Sequence, residues 1–285
     1  MKKVAVVTDS VACLNHELAE KYKIEIIPVN LIIRGKAYRD WVDIKPSEAY
    51  KMFQEDPDSF NTSTPSPVEC LEAFRKVSDG SSAILCVTLS TRLSSLYTAA
   101  FDARELARTE LPGIDIEIMN SESATPSEGM IALAAAHAAA DGKDLPGVIR
   151  AAEEVKSRVK ALILLDTIRH VYRSGRIPKI ASTLGSALDI KPLLSVAGEV
   201  HFKSMVRSRK QGIERMLQMM RDQLGNRPAH IAVTHAYALE EAEKLKERVA
   251  AEFDCAELWL SEFSPVMGYA CGTGTIGVAF YSDEP

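Results

Sequence analysis

A rhythm in the first half of the chain constrains the fold most: a short apolar run, a loop rich in hydroxyls, then a helical pattern, repeated. Residues 3–7 run into Thr8-Asp9-Ser10 and the helical spacing of Leu14, Leu18, Ala19 and Tyr22. Residues 83–87 run into Thr88-Leu89-Ser90-Thr91-Arg92-Leu93-Ser94-Ser95-Leu96, with a helix from there to about Arg108. Residues 115–119 run into Asn120-Ser121-Glu122-Ser123-Ala124-Thr125-Pro126-Ser127 and a helix over 128–140 that carries His137 in an apolar run. Strands alternating with helices in this way specify an α/β domain with a mainly parallel sheet. Between the first two units, a second strand is expected over 24–29. A small hairpin appended to it spans 31–33 and 37–39. A helix from Pro46 follows, with Ala49, Met52 and Phe53 as its buried stripe, broken by Asp56-Pro57-Asp58.

The stretch Asn61-Thr62-Ser63-Thr64-Pro65-Ser66-Pro67 reads as a rigid polar loop, because its two prolines fix φ and hold Thr64 and Ser66 out of the helical basin. Ser66 with Glu69 three residues on makes a capping box for a helix over 68–77. That leaves Thr62 and Ser63 to face something else near a helix N-terminus. Ser94 and Ser95 carry the same two readings, helix capping or ligand contact. Ligands of open α/β sheets collect beyond the carboxyl ends of the strands, so the hydroxyl-rich loops are placed to converge on one crevice.

The second half has a different rhythm. A strand over 161–165, a short helix over 166–172 ended by Gly175 and Pro178, and a hairpin of 191–196 with 200–206 come first. A helix over 210–224, a strand over 231–234, a helix over 239–253 and strands over 256–260 and 276–281 complete an α+β unit with a mixed sheet. At 285 residues the chain suits two domains, expected as 1–160 and 161–285.

A net charge of −5 argues against a general nucleic-acid binder. The apolar run after Lys2 and Lys3 is too short for a signal peptide or a membrane span, so the expected location is the cytoplasm. Five scattered cysteines without a Cys-x-x-Cys pair suit free thiols in a reducing compartment. Gly272-Thr273-Gly274-Thr275-Ile276-Gly277 matches the dinucleotide-binding pattern, but eight residues after Gly277 leave no room for the required helix and acidic residue. Those glycines serve close backbone approach or a tight turn. The Gly-x-Ser-x-Gly elbow of serine hydrolases is missing, and His230 and His235 fall on opposite faces of one strand, a poor metal pair. No catalytic residue and no metal ligand stands out.

Taken in order, five motifs resemble the DegV family, whose members include the FakB fatty-acid carriers. They are Thr8-Asp9-Ser10, Thr62-Ser63-Thr64-Pro65-Ser66-Pro67, Leu89-Ser90-Thr91-Arg92-Leu93-Ser94-Ser95-Leu96-Tyr97, Ser174-Gly175-Arg176-Ile177 and Ser264-Pro265-Val266-Met267-Gly268. The resemblance spans the whole chain. It implies a two-domain fold with a long-chain fatty acid between the domains, its carboxylate held by hydroxyls at Thr62, Ser63 and Ser94, with Ser95 beside them. It also implies a partner, the catalytic subunit of a fatty acid kinase, which phosphorylates the bound carboxylate to an acyl phosphate. Arg176 is the arginine implied in that encounter; locally it reads equally as a surface arginine at a helix C-terminus. No cofactor is implied, and membrane contact is transient at most. The chain departs from the family where Ser94-Ser95-Leu96-Tyr97 replaces Ser-Gly-Thr-Tyr and where Ala270-Cys271-Gly272-Thr273-Gly274 replaces His-x-Gly-x-Gly.

Energetics favour a lipid over a small acid. Burying a carboxylate costs several kcal/mol, and each hydrogen bond to it returns about 1.5–3 kcal/mol, so two or three hydroxyls roughly break even. At about 0.8 kcal/mol per buried methylene, a tail of roughly fifteen supplies on the order of 12 kcal/mol before ordering costs. The competing expectation is a stand-alone enzyme acting on a small carboxylated or phosphorylated metabolite in the same crevice.

Overall fold

The structure, a computed structural model, describes residues 3–170, 174–176 and 190–283. The chain opens with β1 (Val4–Asp9), α1 (His16–Tyr22) and β2 (Glu25–Ile27), followed by β3 (Asn30–Ile33), β4 (Lys36–Arg39) and α2 (Pro46–Glu55). Next come β5 (Phe60–Ser63), α3 (Pro67–Ser78), β6 (Ala83–Thr88), α4 (Leu96–Glu110), β7 (Asp115–Asn120), α5 (Pro126–Ala140) and α6 (Leu145–Arg158). The second half holds β8 (Lys160–Leu164), β9 (Lys191–Ala197), β10 (Glu199–Val206), α7 (Arg209–Leu224), β11 (Ala229–His235), α8 (Leu239–Glu252), β12 (Cys255–Glu262), α9 (Pro265–Cys271) and β13 (Ile276–Ser282).

The fold is two-domain α/β. The N-terminal sheet is parallel, in the order β2-β1-β6-β7. Its central strands are buried along their length because helices cover both faces. Side chains alternate accordingly: Val7, Ile84 and Cys86 pack with α3 and α4, while Val4, Val6, Leu85 and Val87 pack with α5 and α6. The C-terminal sheet is mixed, in the order β10-β9-β8-β13-β11-β12, with only β11 and β12 parallel. Helix α5 is apolar almost all round because it is wedged between the two sheets, touching β1 and β6 on one side and β8, β11 and β13 on the other.

Three departures from the sequence reading matter for the site. Residues 60–63 form a strand, and β5 pairs with β3 from Phe60 opposite Ile33 to Ser63 opposite Asn30. The β3–β4 hairpin therefore belongs to its own three-stranded sheet and is not an appendage of β2. The buried stripe of α2 includes Tyr50, while Met52 stays partly exposed. Helix α9 was not anticipated; it is short, contains Gly268, and is started by Ser264, whose Oγ accepts from the Val266 N–H at 3.2 Å. Of the helix expected over 166–172, residues 166–170 are turn and bend, and the remainder lies outside the described residues, as does Pro178. Gly175 takes the left-handed φ of +65° expected of it.

Candidate functional site

A cavity with about 880 Å³ of atom-free space, its open mouth included, lies between the two halves. Its N-terminal wall comes from the loops beyond β1, β6 and β7, at Val11, Leu89 and Ala124. The facing wall comes from β8 and β9, at Ile163, Leu194 and Val196. All six are at most 5% exposed. Helix α9 closes a third side with Met267, Ala270 and Cys271 among its lining residues.

The polar lining is less buried than the apolar walls, apart from Ser174 at 4% exposed. Thr62, Thr64 and Ser94 are half-buried, and Ser63 and Arg176 are exposed. Among the described residues, the hydroxyls of Thr62 and Ser63 meet no hydrogen-bond partner. Ser94 Oγ accepts from the Leu96 N–H at 3.2 Å, so it tethers the start of α4 and keeps its proton to donate. Ser95 stands outside the lining, its Oγ 2.9 Å from Thr64 Oγ1, and fixes that threonine's rotamer. Arg176 is the one charged side chain among the described lining residues, and its Nη1 donates to the Ser174 carbonyl at 2.8 Å. Hydroxyl donors and a guanidinium in the lining of an otherwise apolar cavity suit an anionic head on an apolar body.

The profile of the DegV family, whose description is of uncharacterised proteins, matches residues 3–283. The chain belongs to the DegV family. A DegV domain-containing protein of Clostridium acetobutylicum is 30% identical over 284 residues, covering 99% of either chain. Two solved structures are similar over nearly their whole length. DegV of Bacillus subtilis, described as a fatty acid binding protein, has a TM-score of 0.88 at 27% identity, covering 99% of this chain and 100% of that one. A DegV family protein of Thermus thermophilus, described for its fatty acid binding, has a TM-score of 0.89 at 25% identity, covering 98% and 99%.

In this DegV chain Ser66 is confined to the helix cap, its Oγ accepting from the Glu69 N–H at 3.3 Å while Glu69 Oε2 accepts from the Ser66 N–H at 2.7 Å. The loops after β1 and β7 do not supply ligand hydroxyls. Thr8 and Ser10 are buried, Ser10 Oγ accepting from the Val29 N–H at 3.1 Å, and Ser127 donates to the Ala124 carbonyl at 2.7 Å. Buried backbone groups need partners, and these short side chains provide them. The glycine-rich decoy is a turn with close approach. Gly272 and Gly274 have φ of +81° and +82°, a Cβ at Gly272 would overlap the His170 ring, and β13 follows where a nucleotide fold needs a helix. His230 reaches Glu257 and Asp283, while His235, buried at the other end of β11, accepts from the Ala238 N–H and is pushed down to about 4 by burial. Among the described residues no helix is long and apolar enough to cross a membrane.

Sequence reasoning missed a group of buried acids behind the N-terminal wall. Asp9, Asp40 and Glu128 are fully buried. Burial raises Asp9 and Asp40 each to about 6 and Glu128 well above the carboxyl range. Asp40 accepts from the Ser264 hydroxyl, tying the cap of α9 to the end of the β3–β4 hairpin.

Proposed function

We propose that this protein binds a long-chain fatty acid between its two domains, with the carboxylate at Thr62, Ser63 and Ser94 and the acyl chain against the apolar walls. The observation that carries the reading is that one cavity joins partner-free hydroxyls in its lining to walls buried almost completely. Fatty acid binding by the Thermus and Bacillus relatives supports it. Organic extraction and mass spectrometry of the purified protein should find an acyl chain near one per protein. Absence of any chain, with no uptake of offered oleate or palmitate, overturns the reading, as does turnover of a polar metabolite by the chain alone. Ser63→Ala and Ser94→Ala should each weaken binding by roughly 1.5–3 kcal/mol, the worth of a hydrogen bond to a charged acceptor. Unchanged affinity in both would return these hydroxyls to a local structural role.

The finer reading is that the protein presents the carboxylate to a separate kinase subunit in the cytoplasm. Arg176 lines the cavity and is exposed, which supports a role toward the bound carboxylate and a docked partner. Arg176→Ala should abolish acyl phosphate formation with the cognate kinase subunit while the purified variant still carries lipid. Full phosphorylation of the variant rules the role out, and loss of lipid assigns Arg176 to the pocket alone. Wild-type protein that binds lipid and is not phosphorylated would overturn the kinase reading, and it is the first control because Ala270 stands in the lining where the resemblance implies histidine.

A further inference from the structure

The parallel sheet changes direction between β1 and β6, the position at which open α/β sheets leave a crevice for a ligand. Here that position is closed by Asp9. Its Oδ1 accepts from the Val11 N–H at 2.9 Å and its Oδ2 from the Leu89 N–H at 3.0 Å, so one carboxylate ties together two loops that lie 80 residues apart in the chain. Val11 and Leu89 both line the cavity. Asp9 therefore acts from directly behind the wall.

Glu128, on the first turn of α5, stands within side-chain hydrogen-bonding range of Asp9. Both side chains are fully buried, and no described lysine or arginine pairs with either. Glu128 Oε1 accepts from the Thr8 hydroxyl at a long 3.4 Å, and Oε2 meets no partner among the described residues. Two ionised carboxylates cannot face each other in such a place, whereas a proton between them turns two acceptors into a donor and an acceptor. Asp9 already accepts two backbone N–H bonds, which favour its charged form, and so the proton belongs on Glu128.

We propose that Asp9 and Glu128 share one proton, held on Glu128, and that the pair is a positioning device which sets the spacing of Val11 and Leu89 in the cavity wall. The remaining titratable groups around it are Asp40, whose charge opposes ionisation, and the buried thiols of Cys13, Cys70 and Cys86. The link to ligand affinity rests on the fatty-acid reading above; the proton and the two amide bonds do not.

The test uses the full-length protein at pH 7.5. Infrared difference spectra should show a protonated carboxyl in the wild type that is lost in Glu128→Gln. Hydrogen exchange should find the Val11 and Leu89 amides protected in the wild type and in Glu128→Gln, whose amide still donates to Asp9. Glu128→Leu, with no donor, and Asp9→Asn, which sets an N–H against a backbone N–H, should each lose about tenfold or more in that protection. Asp9→Asn should also weaken oleate binding by about tenfold or more, read by titration. A wild type without a protonated carboxyl overturns the proposal, as does full amide protection in Asp9→Asn or equal loss in Glu128→Gln and Glu128→Leu. Should Asp9→Asn fail to fold, the infrared signal and the Gln–Leu contrast still decide. A wild type that binds no oleate refutes the proposed function and leaves these two readouts in force.

Discussion

Gly268→Ala is expected to destabilise the protein by about 2–3 kcal/mol, the upper part of the range for overpacking a filled core. The glycine sits in α9, and a Cβ there would overlap Tyr50 Cε1 and stand 2.7 Å from its hydroxyl oxygen. The tyrosine ring has nowhere to go. It is 1% exposed, its hydroxyl donates to the Phe263 carbonyl at 2.8 Å, and it stacks on Tyr237 with centroids 5.9 Å apart. The same shift would loosen Tyr269, which packs with Leu31, Ile33, Phe53 and Phe60 and so steadies the small sheet whose strand β5 carries Thr62 and Ser63. Urea unfolding of Gly268→Ala, Tyr50→Leu and the double variant should therefore show coupling, the double costing less than the two singles added. Strict additivity, or a wild-type midpoint for Gly268→Ala, would mean that α9 can move away from α2 without penalty.

On the proposed function, stripping the fatty acid from the protein should have a larger effect still. A ligand that binds only the folded state stabilises it by about 4 kcal/mol at a thousandfold excess over Kd. For a chain of this size that corresponds to a rise in Tm on the order of 10 °C. Delipidated protein should melt lower by that order and recover when oleate is restored, with no recovery from acetate, which offers the carboxylate without the tail. Equal recovery from acetate would place the binding energy in the hydroxyls and contradict the energetic argument for an acyl chain. No response to either would leave the cavity without a fatty acid role.

The strand–helix alternation, the β9–β10 hairpin and the Ser66–Glu69 capping box were legible because each is written within a few consecutive residues. Strand β5 was not, since Asn61, Thr62 and Ser63 are polar and their pairing with β3, 30 residues upstream, is decided by tertiary contacts. Helix α9 escaped notice because seven residues with a central glycine carry too little periodicity, although Ser264-Pro265 marks its start. Within the site, Thr62, Ser63 and Ser94 were singled out from their loops and do line one cavity, whereas Ser95 lies one step behind. Arg176 was expected to face a partner and also borders the cavity. Asp9 stood out only within the Thr8-Asp9-Ser10 loop motif, and nothing in the sequence marked it, Asp40 or Glu128 as buried, since such residues are almost never fully buried.

Helix α9 carries a consequence for how the protein is made. The walls at Val11, Leu89 and Ala124, and at Ile163, Leu194 and Val196, are all translated before residues 265–271. A growing chain thus completes the N-terminal wall, on its own parallel sheet, before α9 is made and before β13, which fits between β8 and β11, completes the facing sheet. Domains condense in the order of synthesis, at about 5–20 residues per second, so for some seconds that wall stands open to water and to other chains. The closed cavity is then a property of the finished chain, and a nascent chain stalled before Ser264 is the form most exposed to aggregation.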